Sequence, residues 1–306
     1  MVLSLKVAIL GFSIRKMIRV AALATSATSI IGYLSLKTHS EGTILSHKST
    51  QAESSFALSD LEIWRRFDLL RPDVASRTRP ARVEKFLSKE DIEDLERVIE
   101  EGKRNNLPMV ERDRLGRRVD FGGDKKGVTW RTTYLHSSNF ARDRMSSLLN
   151  KVLNTAKEID RKSEWNVLTN RSVLNFRTVE YHDYTEKGGL LNWRDVHFDD
   201  GSLITIDIML SEKNSFTGGE LVFPSTPDDT NPDQLEFEQG DAILFLSHKY
   251  HNVSPVQKGR RRVLVLEIWD GPEKSCAHRC VSREKCMNTD HRYQLASVLE
   301  EFMGLM

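Results

Sequence analysis

Apolar residues along the chain fall into two periods, and the change from one to the other divides the folded part. In "FLSKEDIEDLERVIEEG", residues 86–102, Ile92, Leu95 and Ile99 recur at helical spacing. Ser88 followed three residues later by Asp91 is a capping arrangement, and Gly102 marks the stop. "ARDRMSSLLNKVLNTAKEIDR", residues 141–161, predicts a second helix with Met145, Leu148, Leu149, Val152 and Ala156 on one stripe. Both stripes read as core. From Ser172 onward the runs are short, β-branched or aromatic, and separated by Gly, Pro, Asn and Asp: "SVLNFRTVEY", "SLITIDIML", "GELVFP", "DAILFLS" and "RVLVLEIW". Helices followed by many short strands predict an α+β domain, a β-sandwich or jelly roll packed against helices on its N-terminal side. No internal repeat or Gly-rich phosphate loop is present; Gly188-Gly189 and Gly218-Gly219 are isolated pairs at turns.

The first 40 residues follow neither period. Lys6, Arg15, Lys16, Arg19 and Lys37 are basic, no acid precedes Glu41, and Val20 to Leu36 is an uncharged run of 17 residues. As a helix it would span about 26 Å, just under the hydrocarbon thickness. Basic residues ahead of it would leave the N-terminus in the cytosol and carry the remainder across. Residues 1–40 are therefore expected to be a targeting segment or signal anchor, placing the domain in the lumen of the secretory pathway, at the endoplasmic reticulum membrane. A cleaved signal peptide or a mitochondrial presequence would share these features. Residues 41–80, polar and closed by Pro72 and Pro80, read as a stalk with a short helix at "LEIWRRFDLL". The folded domain is expected over 81–272, with a Cys-containing tail over 273–306.

Across 306 residues, 45 basic and 44 acidic side chains leave a formal charge of +1, which argues against a nucleic-acid surface. The group Arg112, Arg114, Arg117 and Arg118 reads as a solvated loop. The three cysteines, Cys276, Cys280 and Cys286, all lie in "CAHRCVSREKC". In an oxidising lumen they would staple the tail, with one left over; with His291 they could instead form a Cys3His zinc site, although the spacing fits no strong zinc pattern.

The chemistry concentrates in "VHFDD", residues 196–200, and "HKYHNVSPVQKGRRR", residues 248–262. Residues two apart on a strand share a face, so His197 and Asp199 would point together. A third ligand from a distant strand would complete the 2-His-1-carboxylate arrangement that holds Fe(II) with positions left open. Alone, His-x-Asp also suits a polar edge strand. The distal stretch adds His251 and, ten residues later, Arg261, whose planar fork matches a carboxylate.

Taken in order, these segments resemble the iron and 2-oxoglutarate dependent dioxygenases, most closely the prolyl 4-hydroxylase type. "HFD" matches the family's H-x-D. "TIDIML" lies at a core strand, and "GGELVFP" is close to G-G-E-T-x-F-P. "GDAILF" matches G-D-A-x-x-F, and "HNVSPVQKGRR" matches H-x-V-x-P-V-x-x-G-x-R. The resemblance covers about 190 residues and implies a double-stranded β-helix core. By position it implies that His197, Asp199 and His251 bind iron and that Arg261 binds the distal carboxylate of 2-oxoglutarate. His248, without the following V-x-P-V, is assigned to the surface or to a place behind the ligands. Tyr181 would reach the cosubstrate or an iron-bound water, or pack at a strand end. Thr205 would reach the cosubstrate carboxylate, or serve as a β-former. Trp269 reads as core, and "LNWRDV" and "TPDDTNPDQ" as loops at the mouth. Arg194, where the family often has an aromatic, and Met209, where it has a tyrosine, depart from the pattern.

The resemblance implies oxidative decarboxylation of 2-oxoglutarate with O2, giving succinate and CO2 and hydroxylating an unactivated C–H, with ascorbate keeping the iron reduced. A peptide or protein substrate hydroxylated at proline is the first expectation. The alternatives are a hydroxylase of another side chain or of a small molecule, and a membrane-tethered jelly-roll binding module without turnover.

Overall fold

The computed structural model describes residues 77–121, 126–189, 197–199, 201–224 and 232–280. The N-terminal segment, most of the stalk with its expected helix, Arg194 and the "LNWRDV" loop, most of "TPDDTNPDQ", Cys286 and His291 lie outside the described residues. Among those described, no helix is long and apolar enough to cross a membrane.

The capping arrangement closes as expected at the first helix, α1 (Lys89–Arg104). The Ser88 hydroxyl accepts from the Asp91 N–H at 3.1 Å, and the Asp91 carboxylate accepts from the Ser88 N–H at 3.0 Å. Glu90 and Asp91 in the first turn and Lys103 and Arg104 in the last suit the helix dipole. Ile92, Leu95 and Ile99 form its buried face. The second expected helix is broken: α2 (Phe140–Arg144) ends at Met145, whose φ of −130° is not helical, and α3 (Ser146–Lys162) restarts after it. Met145, Leu149, Val152 and Ala156 are buried as the stripe predicts.

Twelve strands follow in chain order: β1 (Ala81–Val83), β2 (Met109–Asp113), β3 (Val128–Tyr134), β4 (Leu174–Tyr184), β5 (Ile204–Met209), β6 (Phe216–Gly218), β7 (Leu221–Phe223), β8 (Asp233–Leu235), β9 (Ala242–Leu246), β10 (Asn252–Val253), β11 (Val256–Gly259) and β12 (Arg261–Asp270). Seven form one antiparallel sheet in the order β1-β9-β5-β12-β4-β3-β2. The small sheets β10-β7-β8 and β11-β6 make the second layer. This is the antiparallel jelly-roll arrangement, with helices on the outer face of the large sheet.

Central strands are buried on both faces, so they read as continuous apolar runs. On β5, Ile204, Ile206 and Ile208 join the core under the helices together with Leu264, Leu266 and Ile268 of β12. Met209 faces the other way, into the space between the sheets. There it meets Ile243, Phe245 and Val263, with Leu221 and Phe223 of β7 and Val256 of β11. Thr205 and Asp207 alternate with the isoleucines and are nevertheless buried. Two buried polar side chains on the inner face of a central strand mark where function departs from packing.

Arg77 to Pro80 and the first residues of the tail are joined to this domain. Thr78 is buried and accepts from Lys249 Nζ at 3.0 Å. Ser137 Oγ donates to the Cys276 carbonyl at 2.9 Å. The arginine group expected as a solvated loop is partly integrated: Arg112 lies on β2 with its guanidinium 5.2 Å from the Trp130 ring centre, and Arg117 bonds the buried Asp113 at 2.8 Å. Arg114 is exposed.

Candidate active site

The two segments singled out in the sequence meet backbone to backbone. His197 N–H donates to the His251 carbonyl at 3.2 Å, and His251 N–H to the His197 carbonyl at 2.9 Å. Two residues on, Asp199 N–H donates to the Ser247 carbonyl just past β9 at 2.7 Å. This crossing brings the side chains together: the ligand atoms of His197, Asp199 and His251 all lie within 4.8 Å of one another. His251 Nε2 stands 3.4 Å from Asp199 Oδ2, and His197 Nε2 stands 3.9 Å from Asp199 Oδ1. Asp199 and His251 are buried, whereas His197 faces outward with 46% of its side chain exposed.

Each buried ligand is held from behind. His251 Nδ1 lies 3.0 Å from the Lys249 carbonyl, which can only accept, so Nδ1 carries the proton and Nε2 presents its lone pair to the site. Thr205 Oγ donates to Asp199 Oδ2 at 2.6 Å and lies 2.9 Å from Ser247 Oγ. From the C-terminal tail, Arg279 Nη2 donates to Asp199 Oδ1 at 2.6 Å while its Nε stands 2.8 Å from Glu267 Oε1. Burial raises the Asp199 pKa, but His251, Arg279 and His197 outweigh it and hold the carboxyl well below its usual range. The result is an ionised carboxylate between two imidazoles, a nitrogen and oxygen donor set suited to a divalent ion.

Farther along the inner face lies Arg261, fully buried. Among the described residues none hydrogen-bonds its three guanidinium nitrogens. It lies instead beside aromatic faces, 5.4 Å from the Tyr184 ring centre and 5.8 Å from that of Phe237. Gly219, at φ +72°, makes room for it: a Cβ there would fall 2.8 Å from Arg261 Cδ. Asp207 also faces this space, where burial raises its pKa to about 6 against the opposing pull of Arg261. From β3, Trp130 Nε1–H donates to His182 Nδ1 of β4 at 3.1 Å, so His182 Nε2 carries the proton and donates to Glu180 Oε2 at 2.8 Å. Thr178 Oγ donates to the other Glu180 oxygen at 2.7 Å. Strand alternation turns the neighbours of Arg261 the other way: Arg260 bonds Asp183 at 2.5 Å, and Arg262 pairs with Glu96 of α1 at 2.5 Å.

His197, Asp199 and His251 thus come together, and Arg261 lies buried among aromatic rings. Two sequence expectations need correction. Tyr181 belongs to the core under the helices, with Lys103 Nζ 4.7 Å from its ring centre, because odd-numbered residues of β4 face outward there. The tyrosine beside Arg261 is Tyr184, its direct partner in the β12–β4 register. Thr205 does sit in the site, but its hydroxyl is bonded to Asp199 rather than left to meet a cosubstrate. His248 is buried, its ring 5.5 Å from that of Phe198, and it is not in the His-Asp-His group. Trp269 is core, as expected, donating from Nε1 to the Pro272 carbonyl at 3.1 Å. Asp207 and Arg279 were missed. The polar member of an otherwise apolar strand signalled the first; nothing near Arg279 in sequence signalled the second.

Residues 179–269 match the family model described as the 2OG-Fe(II) oxygenase superfamily. Among curated proteins no sequence match is found. Similar solved structures include an oxidoreductase of the 2OG-Fe(II) oxygenase family from Burkholderia pseudomallei, at 14% identity over 78% of this chain and 99% of that one, TM-score 0.42. A Trichoplax adhaerens prolyl hydroxylase in complex with a hypoxia inducible factor peptide fragment is 16% identical over 67% and 89%, TM-score 0.43. A Pseudomonas putida prolyl-4-hydroxylase is 13% identical over 68% and 100%, TM-score 0.44. The matched stretch runs from within β4 to Trp269 in β12 and contains both crossing segments and Arg261, so the similarity to the 2OG-Fe(II) oxygenase superfamily falls on the part of the chain that builds the site.

Proposed function

We propose that the protein hydroxylates a peptidyl side chain, proline first among the candidates, with Fe(II) held by His197, Asp199 and His251 and 2-oxoglutarate anchored on Arg261. The observation that carries this reading is the Arg261 guanidinium, fully buried and without a hydrogen-bond partner among the described residues. A buried cation left so is costly. A dicarboxylate whose far end reaches it satisfies the fork in two parallel bonds, while the near end faces the His-Asp-His group. The donor set fits iron for the reasons given above: one ionised carboxylate, one imidazole with its tautomer fixed, and a second imidazole open to solvent.

When bound, iron supplies the activation of O2 that couples decarboxylation of 2-oxoglutarate to hydroxylation, one oxygen atom entering succinate and the other the substrate. The chain's own residues orient and exclude. Thr205 and Arg279 hold the two Asp199 oxygens, the Lys249 carbonyl holds the His251 ring, and Phe245, 4.7 Å from that ring, keeps the inner side dry. Exposed His197 marks the side open to a substrate. Ascorbate would restore iron oxidised in unproductive turnovers. The basic flank ahead of residues 20–36 supports a lumenal domain on a secretory-pathway membrane.

The test is to incubate the purified full-length chain with Fe(II), 2-oxoglutarate and O2, together with a library of proline-containing peptides and matched peptides lacking proline. Succinate release matched by a gain of one oxygen atom in the proline peptides alone supports the reading. Oxygen gained at other side chains would move the substrate assignment, and succinate release that no peptide changes would point to a small molecule.

A further inference from the structure

Beyond the dioxygenase site, the tail carries a second group of metal-ligating side chains. We propose that Cys276, His278 and Cys280 bind a Zn2+-class ion and that this ion clips the C-terminal segment to the domain. The Sγ atoms of the two cysteines and a ring nitrogen of His278 lie within 4.8 Å of one another. Donors about a tetrahedral ion with bonds of roughly 2.0 to 2.3 Å stand roughly 3.3 to 3.8 Å apart, a separation that lies inside that limit. Two sulfurs and an imidazole favour a borderline-soft metal over the hard cations that oxygen ligands select. Three protein ligands leave a fourth position for water or another side chain. Binding would convert both thiols to thiolates and release their two protons.

The backbone around the three ligands is fixed by the domain. Ser138 N–H donates to the Ser275 carbonyl at 2.9 Å, and Ser137 Oγ to the Cys276 carbonyl at 2.9 Å. His136 Nε2 donates to the His278 carbonyl at 3.1 Å, a tautomer that leaves Nδ1 to accept from the Val179 N–H at 3.2 Å. Between His278 and Cys280, Arg279 reaches back to Asp199 and Glu267. A segment pinned at three successive points presents its ligands in a preset arrangement, so little ordering remains to oppose metal binding. A Cys276–Cys280 disulfide would also bring the two sulfurs together, but it gives no reason for the His278 ring to converge with them.

The experiment uses the full-length chain, isolated with zinc present, and zinc-edge X-ray absorption. Expected is a shell of two sulfurs at about 2.3 Å with lighter donors at about 2.0 Å. Cobalt substitution should give thiolate-to-metal charge-transfer bands that persist in a His197→Ala/Asp199→Ala chain, which separates this site from the iron site. Losing only the group that orients a ligand costs roughly 10- to 100-fold in metal affinity, so Cys280→Ser and His278→Ala should each weaken zinc at this site by at least that much. A zinc shell without sulfur, or a cystine formed by Cys276 or Cys280 in the chain as isolated, overturns the proposal. Both are read on the wild-type chain and do not depend on any variant folding.

Discussion

At the scale of single residues, Arg261 and the His-Asp-His group can each be tested against a neighbour of the same kind. Arg261→Ala removes a charge-assisted bidentate contact of roughly 1.5 to 3 kcal/mol, so 2-oxoglutarate should bind about 10- to 100-fold more weakly while iron is retained. Arg260→Ala should leave that affinity unchanged, because its guanidinium is engaged with Asp183 on the opposite face. Equal affinities in both variants, measured by titration, would sink the anchor assignment. Replacing His197, Asp199 or His251 by Ala should empty the chain of iron on metal analysis, while His248→Ala should not, since that ring stacks near Phe198 outside the group. Asp207 makes a prediction about pH. Its folded pKa, about 6, lies above the ordinary 3.8, so the contribution it makes to stability is fully present below pH 4 and is lost as pH rises through 6. Relative to wild type, Asp207→Asn should therefore gain stability between pH 4 and 6 and level off above, by roughly 3 kcal/mol. Melting curves of both chains without added iron across that range check the sign; a constant difference would mean that Asp207 titrates normally.

At the scale of elements, alternation explains both what was legible and what was misplaced. The inner face of β12 carries Arg261 and Val263, and the register sets Tyr184 of β4 opposite Arg261. The motif identified the arginine, but an expected strand ending at Tyr181 stopped three residues short of the end of β4 and put the tyrosine on the wrong face. The "GGE" turn has a local reason that pattern alone does not reveal. Gly218 and Gly219 both have positive φ, and the missing Cβ of Gly219 is the space that the Arg261 stem fills. Gly219→Ala should cost about 1 to 2 kcal/mol from backbone strain alone and should weaken 2-oxoglutarate binding as well, because the stem must shift. Denaturant unfolding and cosubstrate titration on the same preparation check the pair of effects. A stability loss with unchanged affinity would confine Gly219 to turn formation.

At the scale of the whole molecule, the site depends on residues far apart in the chain. Asp199 receives Thr205 from β5 and Arg279 from eighty residues downstream, and Arg279 also faces Glu267 of β12. The basic N-terminal segment sets the remaining prediction: in intact microsomes the domain should resist added protease and become sensitive once the membrane is opened with detergent. Digestion in intact vesicles, or recovery in mitochondria, would reject the lumenal placement.

Sequence by itself determined the class of fold, the opening helix with its cap, the strands of the core and the three residues of the His-Asp-His group with Arg261. Periodicity gives the helix and the strands, while the His-Asp-His group and Arg261 come from short motifs and the family resemblance those motifs carry. Local spacing likewise carried the alternation of His197 with Asp199. Only the tertiary structure decided that Tyr184 rather than Tyr181 stands beside Arg261, that Asp207 faces the same space, and that Arg279 reaches Asp199 from the tail. Each of these depends on which strand lies beside which and on what a buried charge finds there. Those contacts join residues tens of positions apart, and no periodicity of the chain encodes them.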